Sequence, residues 1–152
     1  MANTTEAERY LHEHIPLSQH MQVRVVSCDE SGVTLAAPLE SDINHRHTMF
    51  GGSVSALAIL AAWTWLHTQL KEAVPATRLV IQSNTMHYLH PVEGEQQAHC
   101  APPAAEEWQR FIRMLNRKSV ARITLTVQLL SWGQSVGEFE GAYVAIQTVP
   151  PG

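Results

Sequence analysis

The sequence predicts an α+β domain in which an antiparallel sheet of about six strands wraps around one long buried helix. Three observations lead to this prediction. Residues 48–70 contain no Asp, Glu, Lys or Arg, which is typical of a helix that is buried on every side. Segments rich in β-branched residues lie before and after this run and are separated by turn residues. The length of 152 residues is that of a single domain, spanning residues 1–152.

The first predicted elements are a short helix and a hairpin. Thr5 and Glu8 have the spacing of a capping box. Pro16 ends the helix, because proline cannot continue the hydrogen-bond ladder. Residues 22–28 are rich in Val, residues 33–39 alternate apolar with other side chains, and turn residues separate them. We expect these two segments to pair as antiparallel strands.

Residues 48–70 form the most informative segment. Gly51 and Gly52 stand near its start, and Lys71 and Glu72 follow its end. The run is long enough to cross a membrane, but Ser, Thr, His and Gln interrupt it and no second span accompanies it. We therefore expect a helix that is buried in protein, and the membrane span is the weaker alternative.

The remaining residues predict two more hairpins and one more helix. Residues 79–92 and 96–101 are taken as the second hairpin. Residues 104–116 predict an amphipathic helix, because their apolar side chains recur at helical spacing. Residues 120–131 and 135–147 are taken as the third hairpin, joined by a short turn that contains glycine.

Such a sheet has two unpaired edges, and edge strands tend to pair with other chains. Pairing with a second copy satisfies the free backbone groups of an edge. We therefore expect a homodimer or a dimer of dimers.

Charge and cysteine content restrict the setting of the protein. The formal net charge of −4 argues against nucleic acid and anionic membranes as partners. Cys28 and Cys100 have no metal-ligand spacing, and we expect them to be reduced and buried in strands. The first eight residues lack the basic and apolar parts of a secretory signal, so we expect a cytoplasmic protein.

Three motifs carry a resemblance to a known family: Pro38-Leu39 followed by Asn44, residues 48–53 at the start of the apolar run, and residues 87–92 at the end of a strand. With these motifs the sequence resembles the hot-dog thioesterase superfamily, and within it the thioesterase domain of the YiiD C-terminal type. The resemblance covers the whole chain. It implies the hot-dog fold and hydrolysis of acyl-CoA or acyl carrier protein thioesters without a cofactor.

Gly51 and Gly52 are the first candidate catalytic residues. Glycines at a helix start let a ligand approach the backbone, where free N–H groups and the helix dipole favour negative charge. The carbonyl oxygen of a thioester gains such charge when water attacks it. The alternative is that the glycines only allow close packing. By the resemblance we expect Phe50, Ser53 and Tyr88, which belong to the same motifs, to contact the substrate.

Asn44 corresponds to the loop Asn that related thioesterases place near the carbonyl or the attacking water. Its side-chain amide has both a donor and an acceptor for such a role. The alternative is a turn residue that follows a strand.

The general base is where the sequence departs from the better-studied branches. Those branches carry an Asp or Glu one and a half to two turns after the glycines, but residues 53–60 contain none. Other branches have a His immediately before the glycines, where this chain has a Phe. Asp42, His45 and His47 are the nearest titratable groups in sequence. We choose His47 as the candidate base, because imidazole transfers protons near neutral pH; the alternative is a solvated loop side chain.

The nine His of the chain raise the alternative of a metal site. No carboxylate completes a ligand set around the His pairs, and the inferred family uses no metal. We therefore expect neither a metal nor a cofactor.

Five of the ten basic residues lie within thirteen positions, and they are Arg110, Arg113, Arg117, Lys118 and Arg122. We expect Arg113, Arg117 and Lys118 to bind the phosphates of coenzyme A or the surface of an acyl carrier protein. The alternative is the solvated side of the amphipathic helix.

Three hypotheses for function follow. The first is a thioesterase whose acyl chain lies along the central helix between two protomers. The second is a non-catalytic dimer that binds acyl thioesters or lipids, which the missing helical carboxylate favours. The third and weakest is a metal-dependent enzyme that acts on small molecules.

Overall fold

The computed structural model describes residues 3–40, 42, 48–74 and 76–148, which form four helices and one six-stranded antiparallel sheet. The helices are α1 (Thr4–His14), α2 (Pro16–His20), α3 (Gly51–Ala73) and α4 (Ala105–Lys118). The strands are β1 (Arg24–Asp29), β2 (Gly32–Ala37), β3 (Thr77–Tyr88), β4 (Gln96–Cys100), β5 (Val120–Ser131) and β6 (Gln134–Gln147). The strand order is β1-β2-β4-β5-β6-β3, and α3 packs against the sheet. The predicted α+β architecture, six strands around one long helix, is confirmed.

Helix α3 is fastened to the sheet by apolar packing and by a buried tyrosine. The hydroxyl of Tyr143 on β6 donates to the carbonyl of Ile59, 2.8 Å away. Most of α3 is buried, as predicted, but Ser55, Ile59 and Trp63 form a half-buried stripe along one side. The prediction of burial on every side was therefore too strong. Within the described residues, no helix has the length and apolar character needed to cross a membrane.

Two of the three predicted hairpins are confirmed. Strands β1 and β2 pair as neighbours, and so do β5 and β6. Trp132 and Gly133 turn the chain between β5 and β6 with φ of 52° and 75°. Positive φ at both central residues is typical of the tightest hairpin turns.

The second predicted hairpin is wrong. Strand β3 pairs with β6 along its whole length, from Thr77 opposite Gln147 to Tyr88 opposite Gly137. Strand β4 instead lies between β2 and β5. The physical reason is that turn residues show where a chain changes direction but not which strand it then joins. Residues 89–95 carry the chain away from the β3 edge into the middle of the sheet.

The predicted capping box is also wrong. Asn3 caps α1, because its Oδ1 accepts from the N–H groups of Thr5 and Glu6 at 2.9 and 3.3 Å. Asn is as favourable as Thr at this position, so the helix starts earlier and Thr5 lies inside it. Pro16 follows the end of α1 as predicted, but it also begins the short helix α2.

Glu8 and His12 of α1 instead cover the outer edge of β1. Oε1 of Glu8 accepts from the N–H of Val25 at 2.9 Å. Nε2 of His12 donates to the carbonyl of Val23 at 2.8 Å. These contacts replace bonds that a neighbouring strand would make, so one edge of the sheet is protected within the chain.

The two cysteines lie in strands as predicted, Cys28 in β1 and Cys100 in β4, and both are free and buried. Burial raises the pKa of the Cys28 thiol, and it raises the pKa of Cys100 to about 12. Both thiols therefore stay protonated near neutral pH.

Candidate active site

The N-terminus of α3 is held in place by its own backbone. The N–H of Met49 donates to the carbonyl of Val92 at 2.8 Å, and the N–H of Phe50 donates to the carbonyl of Asp42 at 2.8 Å. Phe50 is the N-cap residue and has an extended conformation, with φ −59° and ψ 133°. The chain therefore enters the helix at a fixed angle immediately before the glycines.

The amides of Gly51 and Gly52 are free donors. Among the described residues, neither N–H group has a hydrogen-bond acceptor, whereas the N–H of Ser53 donates to the carbonyl of Phe50 at 2.9 Å. These two donors stand at the positive end of a 23-residue helix. The arrangement can stabilise an anion or an oxygen that is becoming negative.

Two aromatic rings flank the glycines. A Cβ on Gly51 would lie 3.6 Å from the ring of Tyr88, and a Cβ on Gly52 would collide with the ring of Phe50. The Tyr88 hydroxyl donates to the carbonyl of Gly51 at 3.0 Å. Both rings are more than half exposed, at 54% for Tyr88 and 59% for Phe50. The absence of a side chain at Gly52 thus makes room for an aromatic wall beside the free amides.

A cleft of about 270 Å³ lies beside Gly51. Its other lining residues are Met49, Val54, Tyr88, Leu89, His90, Pro91 and Val92. The lining is apolar apart from Tyr88 and His90, and it contains no carboxylate. A negatively charged substrate would therefore meet no like charge from these side chains.

Two larger cavities suit such a substrate less well. One, of about 480 Å³, lies between the β1–β2 turn, α3 and α4, and Asp29, Glu30 and Glu72 line it. The other, of about 510 Å³, includes Glu138 and Glu140. Neither lining contains Lys or Arg, so the carboxylates of both would repel an anion.

The structure brings four predicted site residues together at the tip of α3: Gly51, Gly52, Phe50 and Tyr88. Ser53 follows them in the first turn and is half-buried. Asn44 and His47, like His45, lie outside the described residues. Asp42 is buried, and its carbonyl holds Phe50.

The basic cluster lies at the other end of the sheet. Arg113, Arg117 and Lys118 are exposed on α4, whose C-cap residue Ser119 accepts through its carbonyl from the N–H of Gln147. Tyr88 pairs with Gly137, near the opposite end of the same strand. At ~3.3 Å per residue, roughly 30 Å of β6 separates the two places. A single copy of the chain therefore does not bring the cluster to the cleft.

His90 is a titratable side chain that the sequence analysis did not consider as a base. It lines the cleft with Gly51 and follows Tyr88 by two residues in the same motif, and that proximity was the available signal. In the described part of the chain, no three side chains of His, Cys, Asp or Glu are grouped to hold a metal.

Comparisons with known proteins agree with this fold. A structure from Chlorobaculum tepidum, of a protein described as having unknown function, is 29% identical, with a TM-score of 0.90, covering 95% of this chain and 94% of that one. A Shewanella oneidensis protein described as a "putative thioesterase" is 27% identical, with a TM-score of 0.84 and coverage of 94% and 96%. A Pseudomonas aeruginosa protein described as a "Probable Thioesterase" is 23% identical, with a TM-score of 0.80 and coverage of 96% and 97%, and it supports the fold alone.

The family comparison covers almost the whole chain. The model of the family described as "Putative thioesterase (yiiD_Cterm)" matches residues 4–147. The sheet, the long helix and the structural neighbours together show the hot-dog fold that the resemblance implied. The chain belongs to this thioesterase family, whose general chemistry is the hydrolysis of thioesters.

Proposed function

We propose that the protein hydrolyses acyl thioesters of coenzyme A or of acyl carrier protein, with the substrate carbonyl at the N-terminus of α3. The observation that carries the proposal is the pair of free N–H groups of Gly51 and Gly52 beside an apolar cleft. Attack by water moves charge onto the carbonyl oxygen. Donors already aimed at that oxygen stabilise the charge by about 3 kcal/mol each in enzymes where this has been measured.

The acyl chain would lie along α3. The half-buried stripe of Ser55, Ile59 and Trp63 continues from the glycines along the helix at four-residue spacing. An acyl chain on this stripe would gain contact with apolar surface that one protomer leaves partly open.

A second copy of the chain would complete the site. We propose that β3, the unprotected edge strand, pairs with β3 of a second protomer in antiparallel fashion about its middle. The start of the partner's β3 would then lie beside Tyr88. The end of the partner's β6, which pairs with the start of its β3, would then lie near the cleft. With it would come the partner's basic cluster, so that the partner's Arg113, Arg117 and Lys118 can bind the carrier's phosphates.

Two imidazoles are candidates for the base. His47 remains the candidate chosen from the sequence, and His90 lines the cleft with Gly51. Single His→Asn variants at the two positions separate them, because the variant that lacks the base loses the acid limb of the dependence of rate on pH.

The test of the proposal is release of thiol from a panel of acyl-CoA lengths by the wild type, Gly51→Pro and Gly51→Ala. Proline is favoured at the first position of a helix and accepts an extended residue before it, as Phe50 is. Gly51→Pro therefore removes the N–H donor at the position where the helix backbone best tolerates a proline. Gly51→Ala keeps the donor, and its added Cβ makes an ordinary contact with Tyr88.

We expect Gly51→Pro to lower kcat by about 10²–10³-fold and Gly51→Ala to stay within about threefold of the wild type. Equal activity of the two variants would show that this amide does not hold the carbonyl. Tight binding of acyl-CoA by the wild type, without thiol release above that of buffer, would favour the alternative function of a non-catalytic acyl-thioester or lipid-binding dimer. The absence of a carboxylate from the first turns of α3 is the observation that supports this alternative.

A further inference from the structure

Gln96 holds a buried polar atom that the fold does not explain. It is the first residue of β4, its side chain is fully buried, and its Nε2 donates to the carbonyl of Val54 in α3 at 3.4 Å. Its Oε1 has no hydrogen-bond partner, and it is the one buried side-chain oxygen or nitrogen in the described part of the chain with none. Leaving such an acceptor unpaired costs about 1–3 kcal/mol, so a water or a ligand atom is expected to fill it.

Stability alone does not account for a glutamine at this position. The other side chains on the same face of β4, Ala98 and Cys100, are apolar and buried. An apolar residue of similar size would fill the space without an unpaired acceptor. The free acceptor therefore points to a water or ligand atom that Oε1 binds.

Gln96 does not itself line the cleft, but it contacts a residue that does. Val54, which accepts its Nε2 hydrogen bond, lines the cleft together with Gly51 and Tyr88. The free amides of Gly51 and Gly52 thus lie one turn before the residue that Gln96 contacts. In this part of α3 the helix itself supplies no carboxylate to bind a water, since residues 53–60 contain none.

We propose that Gln96 binds the water that attacks the thioester, with Oε1 accepting a hydrogen bond from that water. This inference rests on the proposed hydrolytic function.

The water oxygen bonds to the carbonyl carbon while the Gly51 and Gly52 amides hold the carbonyl oxygen. The carbon–sulfur bond then breaks, and its electron pair leaves on sulfur. One proton of the water passes through an imidazole of the cleft or through solvent to the sulfur, which gives a free carboxylic acid and a free thiol. The Gln96 amide orients the water and takes up no proton.

The experiment measures kcat, KM and the free energy of unfolding for the wild type, Gln96→Leu and the control Gln97→Leu. Gln97 is the next residue of β4, half-buried and on the opposite face of the sheet. We expect Gln96→Leu to lower kcat by about tenfold or more with KM changed by less than about twofold, while Gln97→Leu matches the wild type. The stability of Gln96→Leu should be unchanged or higher, because no acceptor remains unpaired. Gln96→Met, of similar length, serves if the leucine variant does not fold.

A second variant distinguishes water binding from a packing role. Gln96→Glu places a carboxylate where the water is bound, and burial raises the pKa of such a group above its usual value of about 4.3. The rate of thioester hydrolysis by the variant should therefore rise as pH increases through that raised pKa. A residue with only a packing role would not produce this pH dependence.

The outcomes separate this inference from the proposed function. If the wild type releases no thiol from any substrate, the hydrolytic function and the role of Gln96 are both ruled out. If the wild type is active and Gln96→Leu or Gln96→Met has the same kcat, only the role of Gln96 falls.

Discussion

His67 of α3 illustrates how one side chain can link helix packing to pH. Its ring stacks on Tyr10 of α1 at 4.4 Å and on Trp63 at 4.9 Å, and Tyr10 also stacks on His14 at 3.9 Å. Burial lowers the pKa of His67 from its ordinary value of 6.5, and the nearby charges of Lys71 and His14 lower it further. This buried environment therefore favours the neutral imidazole. No local pattern in the sequence predicts this contact, because it depends on where α1 packs.

We predict that His67 makes the protein less stable in mild acid. Because the pKa is lower in the folded than in the unfolded state, the unfolded state binds the proton first as pH falls below 6.5. Stability from the neutral ring is therefore fully present above the unfolded pKa and is lost as pH falls toward the folded pKa. The free energy of unfolding, measured with urea at about pH 7.5 and about pH 5, should decrease less between these pH values for His67→Phe than for the wild type. His20→Phe, on the exposed side of α2, is the control, and an equal loss in His67→Phe and the wild type would contradict the prediction.

The site residues were predictable to the extent that they belong to one continuous motif. Gly51, Gly52 and Phe50 are adjacent in sequence, and the helix start that they form follows from local structure. Gln96 was missed because its role depends on contact with Val54, 42 positions away. The charged residues of α4 were recognised as a cluster, but their distance from the cleft depends on the whole sheet.

At the scale of elements, two hairpin turns differ in what their glycines do. Gly32, the first residue of β2 after the β1–β2 turn, has φ of 118°, and a Cβ there would collide with the carbonyl oxygen of Cys100. Gly133, between β5 and β6, has φ of 75°, and a Cβ there would meet no atom within 4 Å. The first glycine is required by both backbone conformation and close packing, and the second by conformation alone.

We predict that the two Gly→Ala variants differ in stability. Gly133→Ala should lower the free energy of unfolding by about 1 kcal/mol, which is the cost of a left-handed residue that has a side chain. Gly32→Ala should lower it by more than about 3 kcal/mol or prevent folding, because the strand β4 backbone cannot move aside. Chemical denaturation of both variants measures the difference. Equal losses would mean that β2 and β4 are not as close at Gly32 as described.

The strand pairings show which parts of the fold local sequence can predict and which it cannot. Turn residues 29–32 and 132–134 each separate strands that pair with each other, so those hairpins were predicted. Strands β3 and β4 are also separated by turn residues, but β3 pairs with β6, which lies about fifty residues further along the chain. Only the complete sheet determines that pairing, since β6, with 14 residues, can pair with all 12 residues of β3, whereas β4 has five.

At the scale of the whole molecule, the two edge strands of the sheet differ in how the rest of the chain covers them. The β1 edge is bonded by Glu8 and His12 of α1. The β3 edge has no such cover among the described residues, and it exposes Val80 and Ile81 at 43% and 36%. An exposed edge of twelve residues is a surface for pairing. This asymmetry supports the proposed pairing of β3 with a second copy.

We predict that the wild type is a dimer, with twice the chain mass of 16.9 kDa, in light scattering after gel filtration. Ile81→Lys should shift the mass toward 16.9 kDa, because it places a charge at the centre of the paired edges. Val120→Lys is the control, since Val120 is also exposed, at 48% against 36% for Ile81, but lies on β5 away from the edge. A wild-type monomer, or a dimer that Ile81→Lys leaves intact, would rule out the β3 interface.

The most direct test of the proposed mechanism is a crystal structure of the protein with a non-hydrolysable acyl-CoA analogue, in which the thioester sulfur is replaced by a methylene group. The carbonyl oxygen should lie about 3 Å from the amide nitrogens of Gly51 and Gly52, with the acyl chain along α3. A carbonyl bound elsewhere, for example in the cavity beside Trp65 and Trp108, would contradict the assignment of the site to the tip of this helix.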